Sequence, residues 1–297
     1  TTTYQYDVTA GLENGFAAEI AIDPKGNRTQ KTYDKAGRLK YVTADGQSTV
    51  YNYYDNGNRQ SVIYPDGTRE EYQYYSNNKL YQLKNTAANG TVLDIYTYTY
   101  DAAGNQTSKH EIINGVEKGT TTYAYDALNR LEQVTEPNGR VTTYTYDAAG
   151  NRAKETITAN GQTVENTYTY NEQNRLTGIV TRTNGAVTET TTYTYDNNGN
   201  QLTVTKNGVL CTENTYDVFN QLIETESNGT TVTNTYNGEG LRVAKEVDGE
   251  KTQYLYEYDK IVLEVDERGN ATARNVYGLN LLKRTVDGES YYYLYNG

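Results

Sequence analysis

The chain has 297 residues and a formal charge of −11; 33 residues are Tyr, two are Phe, and Trp and Met are absent. Leu, Ile, Val and Phe make up about 17% of it, which is below the ~20% under which charged chains tend to stay disordered and too little for a helix bundle or coiled coil. No stretch approaches the ~20 apolar residues of a membrane span. The 27 basic residues are scattered among 38 acidic ones, so nucleic acid and anionic membrane are poor partners.

A Tyr-x-Tyr-Asp motif, followed three or four residues on by Gly or Asn, recurs along the chain, and this internal repetition carries the fold prediction. Degenerate copies open the sequence at Tyr4-Gln5-Tyr6-Asp7, Tyr33-Asp34, Tyr53-Tyr54-Asp55 and Tyr74-Tyr75-Ser76. Clear copies follow at Tyr98-Thr99-Tyr100-Asp101-Ala102-Ala103-Gly104-Asn105, Tyr123-Ala124-Tyr125-Asp126-Ala127-Leu128-Asn129-Arg130-Leu131 and Tyr144-Thr145-Tyr146-Asp147-Ala148-Ala149-Gly150-Asn151-Arg152. Tyr168-Thr169-Tyr170-Asn171, Tyr193-Thr194-Tyr195-Asp196, Tyr216-Asp217, Tyr236-Asn237 and Tyr256-Glu257-Tyr258-Asp259 complete the series. From Asp101 to Asp259 the steps run between 20 and 25 residues. Such elasticity suits loops of varying length on a constant scaffold.

Asn-Gly or Asp-Gly pairs alternate with these motifs: at residues 45, 66, 89, 114, 138, 160, 184, 207, 228, 248 and 287 the first member of a pair stands. These pairs favour the type I′ hairpin turn, in which both central residues have positive φ. Between turns, Thr142-Thr143-Tyr144-Thr145-Tyr146 and Thr190-Thr191-Thr192-Tyr193-Thr194-Tyr195 alternate Tyr with Thr, the period-2 signature of a strand. One repeat therefore reads as two strands and two turns, with the Asp segment closing one end and Asn-Gly the other. The predicted fold is all-β: a long antiparallel hairpin meander that coils, because sheets twist, into a spiral ribbon or partial β-shell. About 25 strands at ~4.8 Å spacing make a strip roughly 120 Å long. Each Tyr row is expected to bury one face against neighbouring copies.

No converging catalytic constellation is visible, and no catalytic, cofactor or metal residue is assigned. His110, the one histidine, reads as a half-exposed strand residue before the Asn114-Gly115 turn. Cys211, the one cysteine, reads as a small apolar residue of the sheet; alone, it cannot form an internal disulfide. Each motif Asp reads as closing its turn. The alternative, Ca²⁺, wants 6–8 oxygens where Asp101–Asn105 offers one carboxylate. Asp66-Gly67 after Pro65 and Asn138-Gly139 after Pro137 read as turns. The Tyr rows admit a sugar-stacking reading beside the core reading, with Tyr291-Tyr292-Tyr293 the one local excess.

The copies at 98–105, 123–131 and 144–152 resemble the RHS/YD-repeat family, and the likeness extends over essentially the whole chain as one array, 1–297. Tyr277-Gly278-Leu279-Asn280-Leu281-Leu282-Lys283-Arg284 and the Tyr-rich end look like the late part of a bacterial RHS core. The resemblance implies a β-ribbon cocoon that in bacterial members holds a C-terminal toxin. Relatives include the insecticidal toxin-complex shell, wall-associated contact toxins and teneurins, and some YD-repeat proteins are linked to carbohydrate. The family's self-cleavage region, with its Asp-Pro-containing ending and catalytic Asp, is not matched here, so no autoproteolytic residue carries over. The chain starts at Thr1-Thr2-Thr3 without Met or a signal peptide, which is the basis for expecting a segment of a longer protein. The expected function is a non-enzymatic segment of a secreted shell that encloses or presents a toxin. The alternative is a cell-surface or wall-associated module adhering to glycans or a partner cell. Partners follow from these readings: toxin cargo or neighbouring repeats, glycans in the second case, and head-to-tail copies pairing through exposed end strands.

Overall fold

The computed structural model describes residues 2–296. It is all-β: 27 strands run from Thr3–Val8 to Glu289–Tyr292, two more than the repeat count suggests, and no helix occurs among the described residues. The strands belong to one sheet. Sequence neighbours pair antiparallel, as where Val141–Tyr146 pairs with Arg152–Ala159 and that strand with Gln162–Tyr170. The predicted hairpin meander is the observed topology.

The two turn signals produce two turn geometries. At the motif turn, Asp147 N–H donates to Asn151 O and Gly150 N–H to Asp147 O. This is a type I turn whose last residue, Gly150 at φ 89°, opens a bulge, and the ladder register shifts at the preceding Tyr146. Where the motif lacks Gly, Asn takes the left-handed position, as at Asn129 (φ 59°) and Asn174 (φ 58°). At the opposite end, eight of the eleven Asn-Gly and Asp-Gly pairs have both residues at positive φ, as the type I′ turn requires. Asp66-Gly67, Asn89-Gly90 and Asn138-Gly139 depart from that expectation: only the Gly is left-handed, and Gly67, Gly90 and Gly139 donate to Tyr64, Ala87 and Glu136 as in the motif turn. At two of the three, Pro65 or Pro137 stands at the second turn position, where its fixed φ suits a type I turn.

A second departure is Tyr256-Glu257-Tyr258-Asp259. Glu257 pairs directly with Lys260, leaving Tyr258 and Asp259 as a two-residue turn, with Tyr258 at φ 53°. The Asp259 carboxylate binds Lys260 Nζ at 2.8 Å instead of capping a loop.

The chain divides into two compact units. The first takes in the chain up to Thr97, Glu111–Glu117 and the chain from Lys251 onward. Within it the early and late strands face each other: Asp45 bonds Arg274 Nη1 at 2.5 Å and Lys283 Nζ at 3.2 Å, and Lys31 pairs with Glu257. This unit holds most of the buried apolar residues, including Val42, Tyr51, Val62, Leu83 and Leu263. The second unit comprises Tyr98–His110 and Lys118–Glu250. Its strands are largely half-buried, and most of its Tyr side chains remain partly exposed. Full burial of the Tyr rows is thus not general. Guanidinium groups cover rings here, as Arg38 and Arg59 cover Tyr53 and Tyr72 in the first unit: Arg130 lies 4.4 Å over Tyr146 and Arg152 lies 4.3 Å over Tyr144. On the other face, Thr hydroxyls pair across strands, as Thr194 and Thr203 do at 2.6 Å.

Candidate functional site

The groups that the sequence repeats most, the Tyr hydroxyl and the Asp carboxylate, converge at the motif turn. Asp126 Oδ1 accepts the backbone N–H groups of Leu128 (2.9 Å) and Arg130 (3.0 Å), and its Oδ2 accepts Arg130 Nε at 2.7 Å. Asp266 makes the same backbone bonds, Asp101 accepts the N–H groups of Gly104 and Asn105, and the two receive the side-chain amides of Asn270 and Asn105 at 2.8 and 2.9 Å. These bonds favour the charged carboxylate. Asp126 is held below the usual range chiefly by the Arg130 N–H, and Asp101 and Asp266 chiefly by the amides of Asn105 and Asn270. Asn171 and Asn237 make the backbone bonds without the charge. The oxygens weighed as Ca²⁺ ligands are thus engaged by the loop's own donors.

The second Tyr of the motif has an equally local partner. Tyr53, Tyr146, Tyr195, Tyr236 and Tyr295 donate their hydroxyls to the carbonyls of Leu39, Leu131, Leu176, Leu222 and Leu281 at 2.7–3.0 Å, and Tyr170 donates to Arg152. In every case the ladder joining those two strands stops two residues short of the acceptor: at Tyr41, Gln133, Gly178, Glu224, Lys283 and Lys154. The phenol therefore satisfies a carbonyl left over where two neighbouring strands part to enter separate turns. A hydroxyl so used has little left to offer a sugar.

The remaining sequence candidates stay apart. His110 lies on Gln106–Ile113, half-buried, with Nδ1 2.9 Å from Thr120 Oγ1. Cys211 is the extra residue of a bulge, since Val204 pairs with Thr212 and Thr205 with Leu210, and its Sγ donates to Val209 O at 3.3 Å. The trio at 291–293 is divided: Tyr291 binds Glu289 at 2.8 Å, Tyr292 packs edge-on to Tyr64, and the Tyr293 carbonyl accepts the Tyr64 hydroxyl at 2.7 Å.

Sequence reasoning missed one cluster. Glu70, 1% exposed, accepts the hydroxyls of Tyr64 (3.0 Å) and Tyr72 and the N–H of Tyr295 (3.3 Å). Burial, reinforced by the Glu70 charge, pushes Tyr64 and Tyr72 well above the ordinary phenol range, and burial pushes neighbouring Tyr51 up to about 12. A signal existed: Glu70 and Tyr72 are two apart, so an inward Tyr72 implies an inward Glu70. A carboxylate bonded to neutral phenols and an amide lacks a nucleophile and an acid–base partner near neutrality, and it serves to hold the segment Tyr293–Asn296.

The RHS Repeat family model matches residues 117–140, 125–163 and 170–208, the stretch in which the Tyr–Asp turns are most regular. Residues 117–163 and 170–208 thus carry RHS repeats. No curated protein matches it. Among solved structures, this RHS-repeat chain is similar to TcdB2-TccC3-TEV, with 16% identity over 96% of this chain and 20% of that one and a TM-score of 0.44. It is also similar to the Photorhabdus luminescens Tc holotoxin pore, with 15% identity over 96% and 20% and a TM-score of 0.44. A porin-like protein from Bacteroides uniformis is a further match, with 13% identity over 69% and 92% and a TM-score of 0.30. The chain spans about a fifth of the length of the first two.

Proposed function

We propose that this RHS-repeat chain is a wall segment of a secreted or cell-surface shell that encloses or presents a C-terminal toxin, and that it acts sterically rather than catalytically. One observation carries the reading: at the turns of Tyr125-Asp126, Tyr146-Asp147 and Tyr195-Asp196 the Asp carboxylate and the Tyr hydroxyl are both bonded to the chain's own backbone. Such a surface is stable without being reactive, which is what a wall around a foreign domain needs. The wall's neighbours would be the same chain's further repeats and its cargo.

The test uses the whole natural protein. With the region following this chain expressed in place, a protease is expected to leave that region intact until the shell is denatured. Digestion at the rate of the isolated region would overturn the proposal. Saturable binding of this chain to a glycan array would favour the adhesive reading instead.

A further inference from the structure

Tyr258 is the one aromatic residue at positive φ among the described residues. Left-handed backbone is unfavourable for a bulky side chain, and an outlier of this kind is held by its surroundings. Here the surroundings are two other tyrosines and a carboxylate. The Tyr258 ring stacks on Tyr4 at 5.2 Å and 30°, and Tyr4 stacks on Tyr6 at 6.0 Å and 13°. The Tyr258 hydroxyl donates to Glu19 Oε1 at 2.7 Å, and the Tyr6 hydroxyl lies 2.8 Å from the Tyr258 hydroxyl. Because Tyr258 gives its proton to Glu19, Tyr6 is the donor to Tyr258. The three groups form a directed chain, Tyr6 to Tyr258 to Glu19. Tyr6 and Tyr258 are 57% and 54% exposed, so a solution oxidant reaches both rings.

We infer that Tyr6 and Tyr258 are a site of oxidative modification, poised to couple into a dityrosine that joins the start of the first unit covalently to the hairpin turn at Tyr258. Their hydroxyl oxygens lie 2.8 Å apart, so a side-chain rotation of the two exposed rings brings the ortho carbons together. The oxidant is a peroxide acting through a haem peroxidase. Each phenol loses one electron to the oxidant and one proton, the Tyr258 proton passing to Glu19 and the Tyr6 proton to the water that its exposed ring meets. The two radicals form one carbon–carbon bond between ortho positions, and the ortho hydrogens move to the oxygens to restore both phenols. The net change is loss of two electrons and two protons, with the peroxide reduced to two waters. Other tyrosine neighbours lack this combination: Tyr75 and Tyr81 meet edge-on at 71°, and Tyr64 with Tyr292 is partly buried in the first unit. A chain with a single cysteine has no internal disulfide to close its first unit. A link between residues 6 and 258 would constrain its unfolded state in the same way.

The experiment treats the purified chain, at low concentration, with hydrogen peroxide and a haem peroxidase. Dityrosine fluorescence is read and the cross-linked peptides are mapped by mass. An intramolecular Tyr6–Tyr258 peptide, lighter by two hydrogens, is expected. Y6F and Y258F each abolish it, while Y4F, which keeps the stacked ring, retains it. E19Q is expected to slow its formation about tenfold, the low side of what a positioned base contributes. Circular dichroism and melting curves confirm that each variant is folded. Cross-links only between molecules, or only at other tyrosine pairs, would overturn the assignment, and an unchanged rate in E19Q would remove Glu19 from it.

Discussion

Glu70 and Asn85 are direct cross-strand partners, both 1% exposed, and they grip a single residue from a distant part of the chain: Glu70 Oε1 accepts the N–H of Tyr295 at 3.3 Å, and Asn85 Nδ2 donates to its carbonyl at 3.5 Å. The pair reads backbone rather than side chain, so it fixes where the segment Tyr293–Asn296 runs whatever its composition. Glu70→Ala is expected to leave the buried Tyr72 hydroxyl without its acceptor, and Tyr64 with the Tyr293 carbonyl alone, and to cost about 3 kcal/mol. The urea midpoint reads the loss. Hydrogen exchange reads its location: the Tyr295 amide should exchange faster, while amides around Tyr146 in the second unit keep their rates.

The Tyr hydroxyls that donate to stranded carbonyls should each contribute modestly and independently. Tyr146→Phe and Tyr195→Phe are expected to cost about 1 kcal/mol apiece, because each leaves one carbonyl without its donor. The two positions belong to separate hairpins, so the double variant should show the sum to within about 0.5 kcal/mol. Equilibrium denaturation of the three variants checks this.

Acid should weaken the fold through the turn carboxylates. The folded state holds Asp101, Asp126 and Asp266 below their ordinary pKa. On acidification the unfolded chain therefore takes up protons first, near the usual Asp value of about 3.9. Stability from these residues is fully present above that value and is lost as pH falls through the lower folded pKa. Combining Asp101→Asn, Asp126→Asn and Asp266→Asn should flatten the pH dependence below about 4, while Asn keeps the backbone bonds as Asn171 does. Denaturation midpoints at pH 7, 4 and 3 decide it.

Two glycines should fail for different reasons. Gly150 sits at φ 89° with nothing within 4 Å of a built Cβ, so Gly150→Ala costs only the left-handed backbone strain, about 1–2 kcal/mol. Gly150→Asn should cost less, since Asn129 and Asn174 occupy that position natively. Gly278 has no such φ, but its Cβ would overlap the buried Tyr51 hydroxyl and meet Leu282 Cδ1 at 3.0 Å. Gly278→Ala should cost about 1–3 kcal/mol by overpacking, and Tyr51→Phe in the same chain should relieve part of it. Thermal melts of the four variants separate strain from clash.

The strands, the two kinds of reversal and the RHS repeat were legible in the amino-acid order, because each depends on residues close together in the chain. Alternation of Tyr and Thr sets the faces of a strand. Asn-Gly sets a left-handed pair. An Asp four residues before an Asn or Arg caps its own loop, as Asp147 and Asp126 do. Even the three exceptional Asn-Gly and Asp-Gly pairs are local effects, two of them marked by Pro65 and Pro137.

What the order of residues could not give is which repeats acquire a second layer. Tyr51 and Tyr144 occupy similar strand positions, yet Tyr51 is 1% exposed while Tyr144 keeps a half-open ring under Arg152. The difference comes from the late strands that the first unit brings against Tyr51, at a sequence separation of about 230 residues. The same long-range meeting buries Glu70 and places Tyr258 on Tyr4. Repeating chemistry determines a repeating sheet. Contacts between distant repeats determine where that sheet becomes a core, since burial depends on what covers a face and not on the residues that make it.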